Sequence, residues 1–246
     1  MPYKRIISLV PSLTELLIDL GLSNQIVGRT RFCIHPSNKI STIPNIGGTK
    51  NPNIEKIRDL EPDLVITNKE ENRKEDVDTI IEFCEVIVTE INTIDDALFW
   101  ISKLGLTLGK TEESNTLIDQ IREHIPIESN LNHIPTAYFI WKDPWMSVGH
   151  DTYIHDVMHR FGFRNVFSNQ TRYPSITIDE LVILNPKLIL LSSEPFPFKE
   201  KHIQELMNEL PESNIQLVDG EWFSWYGSRM LPSFTALKTW HEHLSI

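Results

Sequence analysis

The segment Ile54–Thr67, IEKIRDLEPDLVIT, is echoed 124 residues later by Ile178–Leu191, IDELVILNPKLILL. In this register Glu55 falls on Asp179, Ile57 on Leu181, Leu60 on Leu184 and Pro62 on Pro186, while Leu64, Val65 and Ile66 fall on Leu188, Ile189 and Leu190. Each copy spaces its apolar residues as a short amphipathic helix. A proline then stops the helix, and a run apolar at every position follows, as in a strand buried on both faces. Such units build parallel sheets with helices on their faces. A solenoid would repeat every few dozen residues, so two distant copies predict two similar α/β lobes. Helix-proline-strand is also a common phrase in α/β chains, and the surrounding pattern has to agree with it.

It does agree. Ile6–Val10 reads as a strand, Ser12-Leu13-Thr14-Glu15 as a capping box opening a helix that Gly21 stops near Leu20, and Gln25–Gly28 as a short strand. Asn72–Phe83 is predicted helical and Glu85–Thr89 extended. In the second half Thr136–Trp141 is a predicted strand and Asp151–Phe161 a helix capped by Asp151. Lys199–Leu210 follows as a helix, Ile215–Val218 as a strand and Pro232–Leu244 as a last helix. Between the halves, Ile94–Ile125 has helical spacing interrupted by Gly105 and Gly109, predicting one helix to about Leu108 and another from Thr111 to about His124. The expected organisation is therefore an amino-terminal α/β lobe over 1–108, a linking helix over 109–132 and a carboxyl-terminal α/β lobe over 133–246. A ligand cleft is expected between the two parallel-sheet lobes.

Charge narrows the partners. A formal net charge of −11 without a basic stripe argues against nucleic acid. No apolar run approaches the roughly 20 residues that span a bilayer, so membrane insertion is not expected. Two cysteines, Cys33 and Cys84, do not make a disulfide framework. Ile6–Val10 is too short for a signal-peptide core, which predicts a cytoplasmic chain as written, or the periplasm or cell envelope if a leader was removed.

Four segments carry a resemblance: RIISLVPSLTELLIDLG (Arg5–Gly21), IGGTKNPNIEKIRDLEPDLVI (Ile46–Ile66), WKDPWMSVGHDTYIHDVMHRFGFRNVF (Trp141–Phe167) and DGEWFSWYGSRM (Asp219–Met230). Together they resemble the cobalamin- and metallophore-binding solute receptors of ABC importers, whose lobes are joined by one long helix. The resemblance implies a monomeric binding protein, not an enzyme, that takes up a small molecule and meets a permease. It implies docking acids at Glu55 and Asp179, with Glu180 adjacent, although acids in a first helical turn also complement the helix dipole. By position Phe32 matches an aromatic that contacts the corrin, and Glu221 matches an acid. Trp225 stands where the receptors have an arginine, and Thr49 where they have a tryptophan. These departures leave a corrinoid, haem or a ferric chelate as ligands, with no cofactor required.

Open α/β sheets bind ligands at the carboxyl ends of their strands. That rule selects Pro11 and Ser12, Phe32 to Pro36 with Cys33 and His35, Gly47 to Asn51 with Gly48 and Thr49, Asn68 to Glu71, Trp141 to Trp145, and Trp222 to Arg229. Four of the six tryptophans fall in two of these loops. Loop aromatics there, Trp141, Trp145, Trp222, Trp225 and Tyr226, either face a flat ligand or pack beneath the loops. Arg229 either forks onto a ligand carboxylate or phosphate, or caps a helix or pairs with a surface acid.

Cys33 and His35, with His150 or Glu221, form a candidate metal set, against the plainer reading of a buried thiol beside a surface histidine. His155 and His159 have zinc-like spacing, but a solvated helix face accounts for them. Gly47-Gly48-Thr49-Lys50 matches no phosphate-loop pattern, and no GxSxG elbow occurs. Two rivals to a receptor remain: an intracellular binding protein or enzyme acting on such a ligand, and a direct metal-ion receptor.

Overall fold

The computed structural model describes residues 3–127 and 133–244. In chain order the elements are β1 (Ile6–Ser8), α1 (Pro11–Asp19), β2 (Ile26–Arg29), α2 (Ser37–Ile40), α3 (Ile54–Asp59), β3 (Leu64–Asn68), α4 (Lys74–Ile81), β4 (Val86–Thr89), α5 (Ile94–Thr107) and α6 (Thr111–His124). Then come β5 (Ile134–Phe139), α7 (Tyr153–Arg160), β6 (Phe163–Asn165), α8 (Ile178–Leu184), β7 (Leu188–Ser192), α9 (Glu200–Glu209), β8 (Asn214–Val218), α10 (Glu221–Ser224) and α11 (Met230–Glu242). A 3-10 turn, Gly227–Arg229, leads into α11.

Two sheets of four strands result, ordered β2-β1-β3-β4 and β6-β5-β7-β8, with every pairing parallel. Both have the same topology, and the echoed segments are α3–β3 in one and α8–β7 in the other. Strands β3 and β7 are buried along their whole length, as a parallel strand covered by helices on both faces requires. In the first sheet Ile7, Leu9 and Val65 pack with Ile57 of α3 and Ile80 of α4. In the second, Phe139, Ile189 and Leu191 pack with Leu181 of α8 and Leu206 of α9.

The chain forms two compact units. One comprises residues 1–91, 95–120 and 226–230, the other 92–94, 121–225 and 231–246. The division therefore differs from the contiguous boundaries read from sequence. Helices α5 and most of α6 join the first unit, and so does the short Tyr226–Met230 segment. Residues 128–132, at the end of the expected linking helix, lie outside the described residues.

Three local expectations are corrected. Gly105 does not interrupt α5; a Cβ there would come within 2.1 Å of Ser114 Oγ on α6, so the glycine permits two helices to touch. Ser12 does not cap α1. Pro11 occupies the first turn, Val10 is the capping residue without a side-chain bond, and Ser12 is buried inside the helix. Asp151 does not cap α7, because Thr152 does so by accepting from the His155 N–H at 3.3 Å.

Candidate functional site

In each sheet the strand order reverses beside the first strand, so the crevice expected to receive a ligand opens at the carboxyl ends of β1 and β3 in the first unit and of β5 and β7 in the second. In the first unit Asn68, at the end of β3, accepts from the backbone N–H groups of Glu70 (2.8 Å) and Glu71 (3.2 Å). Asn72 accepts from the Asn68 N–H at 2.8 Å and donates to the Thr49 carbonyl at 2.9 Å. One buried amide thus ties the Gly47–Gly48–Thr49 loop to the end of β3. Sequence reasoning ended this loop at Glu71 and missed Asn72, whose place at the start of a polar helix gave no sign of burial.

The expected residues of this unit separate into two groups. Phe32 is 47% exposed at the turn after β2, with the Arg31 guanidinium 4.9 Å from its ring centre. His35 and Thr49 are half-buried, Gly48 is buried, and Pro11 is half-buried at the head of α1. Cys33 is withdrawn from solvent instead. Its sulfur lies 3.1 Å from the Thr14 hydroxyl and 3.2 Å from that of Thr30, and burial pushes the thiol above its ordinary value. Among the described residues no group of three or more His, Cys, Asp and Glu side chains is arranged to hold a metal ion.

Arg229 and Tyr226 are engaged within the first unit. The Arg229 guanidinium forks onto both oxygens of Glu15, its Nε at 2.9 Å. Burial lifts Glu15 above the ordinary carboxyl value even against that neighbour. The Tyr226 hydroxyl donates to Glu71 at 2.7 Å, and its burial, followed by the Glu71 charge, raises the phenol. Pairing with an acid was one of the readings of Arg229 from sequence.

In the second unit Trp141 follows β5, is 41% exposed and meets Phe196 edge-on at 5.6 Å. Trp145, expected at the ligand, is buried in the core, stacked on Phe198 at 5.7 Å and edge-on to Phe139 at 5.2 Å. Its apolar ring fills space under the loop, the packing alternative for loop aromatics. Trp222 is half-buried beside Trp240, and His150 is exposed with its Nδ1 2.8 Å from the Gln170 carbonyl.

Glu194, two residues beyond β7, was absent from the sequence candidates. Its Oε1 accepts from Trp225 Nε1–H at 2.8 Å and from the Ser224 hydroxyl at 2.9 Å. Burial raises this carboxyl, the two donors oppose the rise, and the nearby charges of Glu221 and Asp219 add to it. Glu221 itself is half-buried at the start of α10.

Glu55 and Asp179 are exposed in the first turns of α3 and α8, equivalent positions in their own units. Glu180 differs. Its carboxylate accepts from the Thr177 N–H (2.8 Å) and hydroxyl (2.9 Å), closing a capping box that holds it below the ordinary glutamate value.

The sequence profile of a family described as periplasmic binding protein matches residues 6–213. An ABC transporter substrate-binding lipoprotein of Bacillus subtilis, YvrC, is 26% identical over 201 residues, covering 76% of this chain; the chain spans 63% of that relative's length. The vitamin B12-binding protein BtuF of Vibrio cholerae superposes with a TM-score of 0.84 at 18% identity, covering 98% of each chain. The heme-binding protein RhuT of Roseiflexus sp. superposes with a TM-score of 0.83 at 19% identity, again over 98% of both. At these identities the superpositions establish the fold.

Proposed function

The chain belongs to the periplasmic binding protein family, and from that premise we propose that it captures a flat metal chelate, a corrinoid, haem or ferric complex, for an ABC importer. The observation that carries this reading is the pair of exposed aromatics, Phe32 after β2 and Trp141 after β5, each beyond the carboxyl end of a strand, on the side from which α/β sheets receive ligands. Aromatic rings in water are costly unless something covers them, and a planar macrocycle offers a matching face. The half-buried Trp225, held at its nitrogen, adds a third ring at the end of the second sheet. The solutes named for the relatives, vitamin B12 and heme, are flat chelates of this kind.

A permease is the proposed partner. Glu55 and Asp179 carry exposed carboxylates at equivalent helix starts and suit contact with arginines, whereas Glu180 is occupied by its own cap. Work beside a permease belongs at the cell envelope. Among the described residues no helix is long and apolar enough to cross a membrane. A metal-ion receptor built on Cys33 finds no support, since the thiol is buried and its burial disfavours the thiolate that binds metals.

The test is a tryptophan-fluorescence titration with cobalamin, cobinamide, haem and a ferric chelate, corrected for inner-filter absorption. Saturable one-to-one quenching by one of them is expected, with Phe32→Ala weakening it about fivefold or more, the scale of one lost ring contact. Failure of all four to bind would overturn the proposal.

A further inference from the structure

Resting on the solute-capture reading, we propose that Glu194 is a positioning residue for the solute, acting through Trp225, whose indole it holds in one orientation at the carboxyl end of the second sheet. The support beneath Glu194 is built from the strand upward. Its N–H donates to Ser192 Oγ at 3.3 Å, and its carbonyl accepts from the same hydroxyl at 2.6 Å. Ser192 ends β7, is buried, and receives the hydroxyl of the wholly buried Tyr138 at 3.1 Å. Space for the carboxyl is made by Gly220, where a Cβ would stand 2.6 Å from Glu194 Cγ and 2.5 Å from Ser192 Oγ. Onto this fixed acceptor converge the Trp225 N–H and the Ser224 hydroxyl, both on Oε1.

An indole turns about two side-chain torsions, and flipping about the second exchanges its polar and apolar edges. The indole N–H donates to Glu194 Oε1, and that hydrogen bond favours the ring orientation that makes it. That is the arrangement by which a rigid, supported aromatic presents its face to a ligand at little entropic cost. Asp219 and Glu221 are the charged groups that act on the carboxyl, and both favour its protonated form. Either protonation state leaves an oxygen able to accept from the indole.

Glu194→Gln retains an acceptor and Glu194→Ala removes it. Two readouts separate positioning from bulk stability: the indole N–H resonance of Trp225, assigned by its loss in Trp225→Phe, and the dissociation constants for haem and cobinamide. Glu194→Ala is expected to move that resonance toward the position of a solvated indole and to weaken binding about tenfold, the low end for a hydrogen bond to a charged acceptor. Glu194→Gln keeps most of both, and in a Trp225→Phe background Glu194→Ala adds nothing further. An unmoved resonance, or an equal loss of affinity in the Trp225→Phe background, overturns the proposal. If neither probe binds the unaltered protein, and cobalamin and a ferric chelate fail as well, the solute reading falls and Glu194's part in capture with it. The resonance still reports whether the indole is held, so the two failures are told apart.

Discussion

Glu15, which is buried, and Glu71 and Glu194, which are half-buried, each take a specific donor: Arg229, Tyr226 and Trp225. The first pair is the most consequential for stability, because Glu15 and Arg229 keep 9% and 21% of their side-chain exposure. Removing one member leaves the other charge buried without compensation. Arg229→Met is expected to cost about 3 kcal/mol in denaturant unfolding, and Glu15→Gln with Arg229→Met to recover at least half of it. Additive losses would show that the pair is not coupled. Nothing near Arg229 in the sequence signals this partner 214 residues away, which is why a ligand anion stood beside an acid among its readings. The place of Phe32 just beyond a strand was legible because a strand's end is marked locally in the sequence. Glu194 was not, since its burial comes from Gly220 and Trp225, distant in the chain.

At the scale of elements the echo was sound. Both copies fold as helix and strand, and both helices are capped by a side chain just before them, Asn53 accepting from Lys56 N–H at 2.9 Å and Thr177 from Glu180 N–H at 3.2 Å. Asn53→Ala and Thr177→Ala should each cost about 1 kcal/mol. Hydrogen exchange should localise the loss to α3 or α8, and an unchanged exchange pattern would sink the prediction. Apolar periodicity made most strands and helices legible to within a few residues. The short strand β6 and the four-residue helices α2 and α10 were missed, because three or four residues carry too little periodicity to register. Gly105 misled for a different reason: a glycine that admits a neighbouring helix looks, in sequence, like one that ends its own.

For the whole molecule, titration should fall unevenly. His155, His202 and His241 all belong to the second unit, and burial lowers each below the ordinary histidine value. His155 Nδ1 lies 3.1 Å from the Asn165 amide nitrogen, and His202 Nδ1 accepts from Lys199 N–H at 2.9 Å; an unprotonated nitrogen serves both contacts. Below the unfolded value of 6.5 the unfolded chain binds more protons than the folded one. Their contribution is thus complete above that value and is lost as pH falls toward the lowered folded values. Glu15 and Glu194, raised by burial, act in the opposite sense just above the ordinary carboxyl value of 4.5. The denaturation midpoint should therefore drop between about pH 7.5 and about pH 6, and the drop should shrink in His155→Gln. An identical slope in that variant would remove His155 from the account.

The first unit is assembled from three separate stretches of chain, the last being Tyr226–Met230. Its helix α1 packs against the turn Gly227–Arg229, and Glu15 on that helix finds its bidentate partner there, in Arg229. During synthesis on a ribosome, then, the amino-terminal half cannot be finished when it emerges. It must wait, with α1 incompletely covered, until residues 226–230 have been added. A nascent chain stalled before Tyr226 should be protease-sensitive around α1, and emergence of residues 226–230 should protect α1 and that turn together.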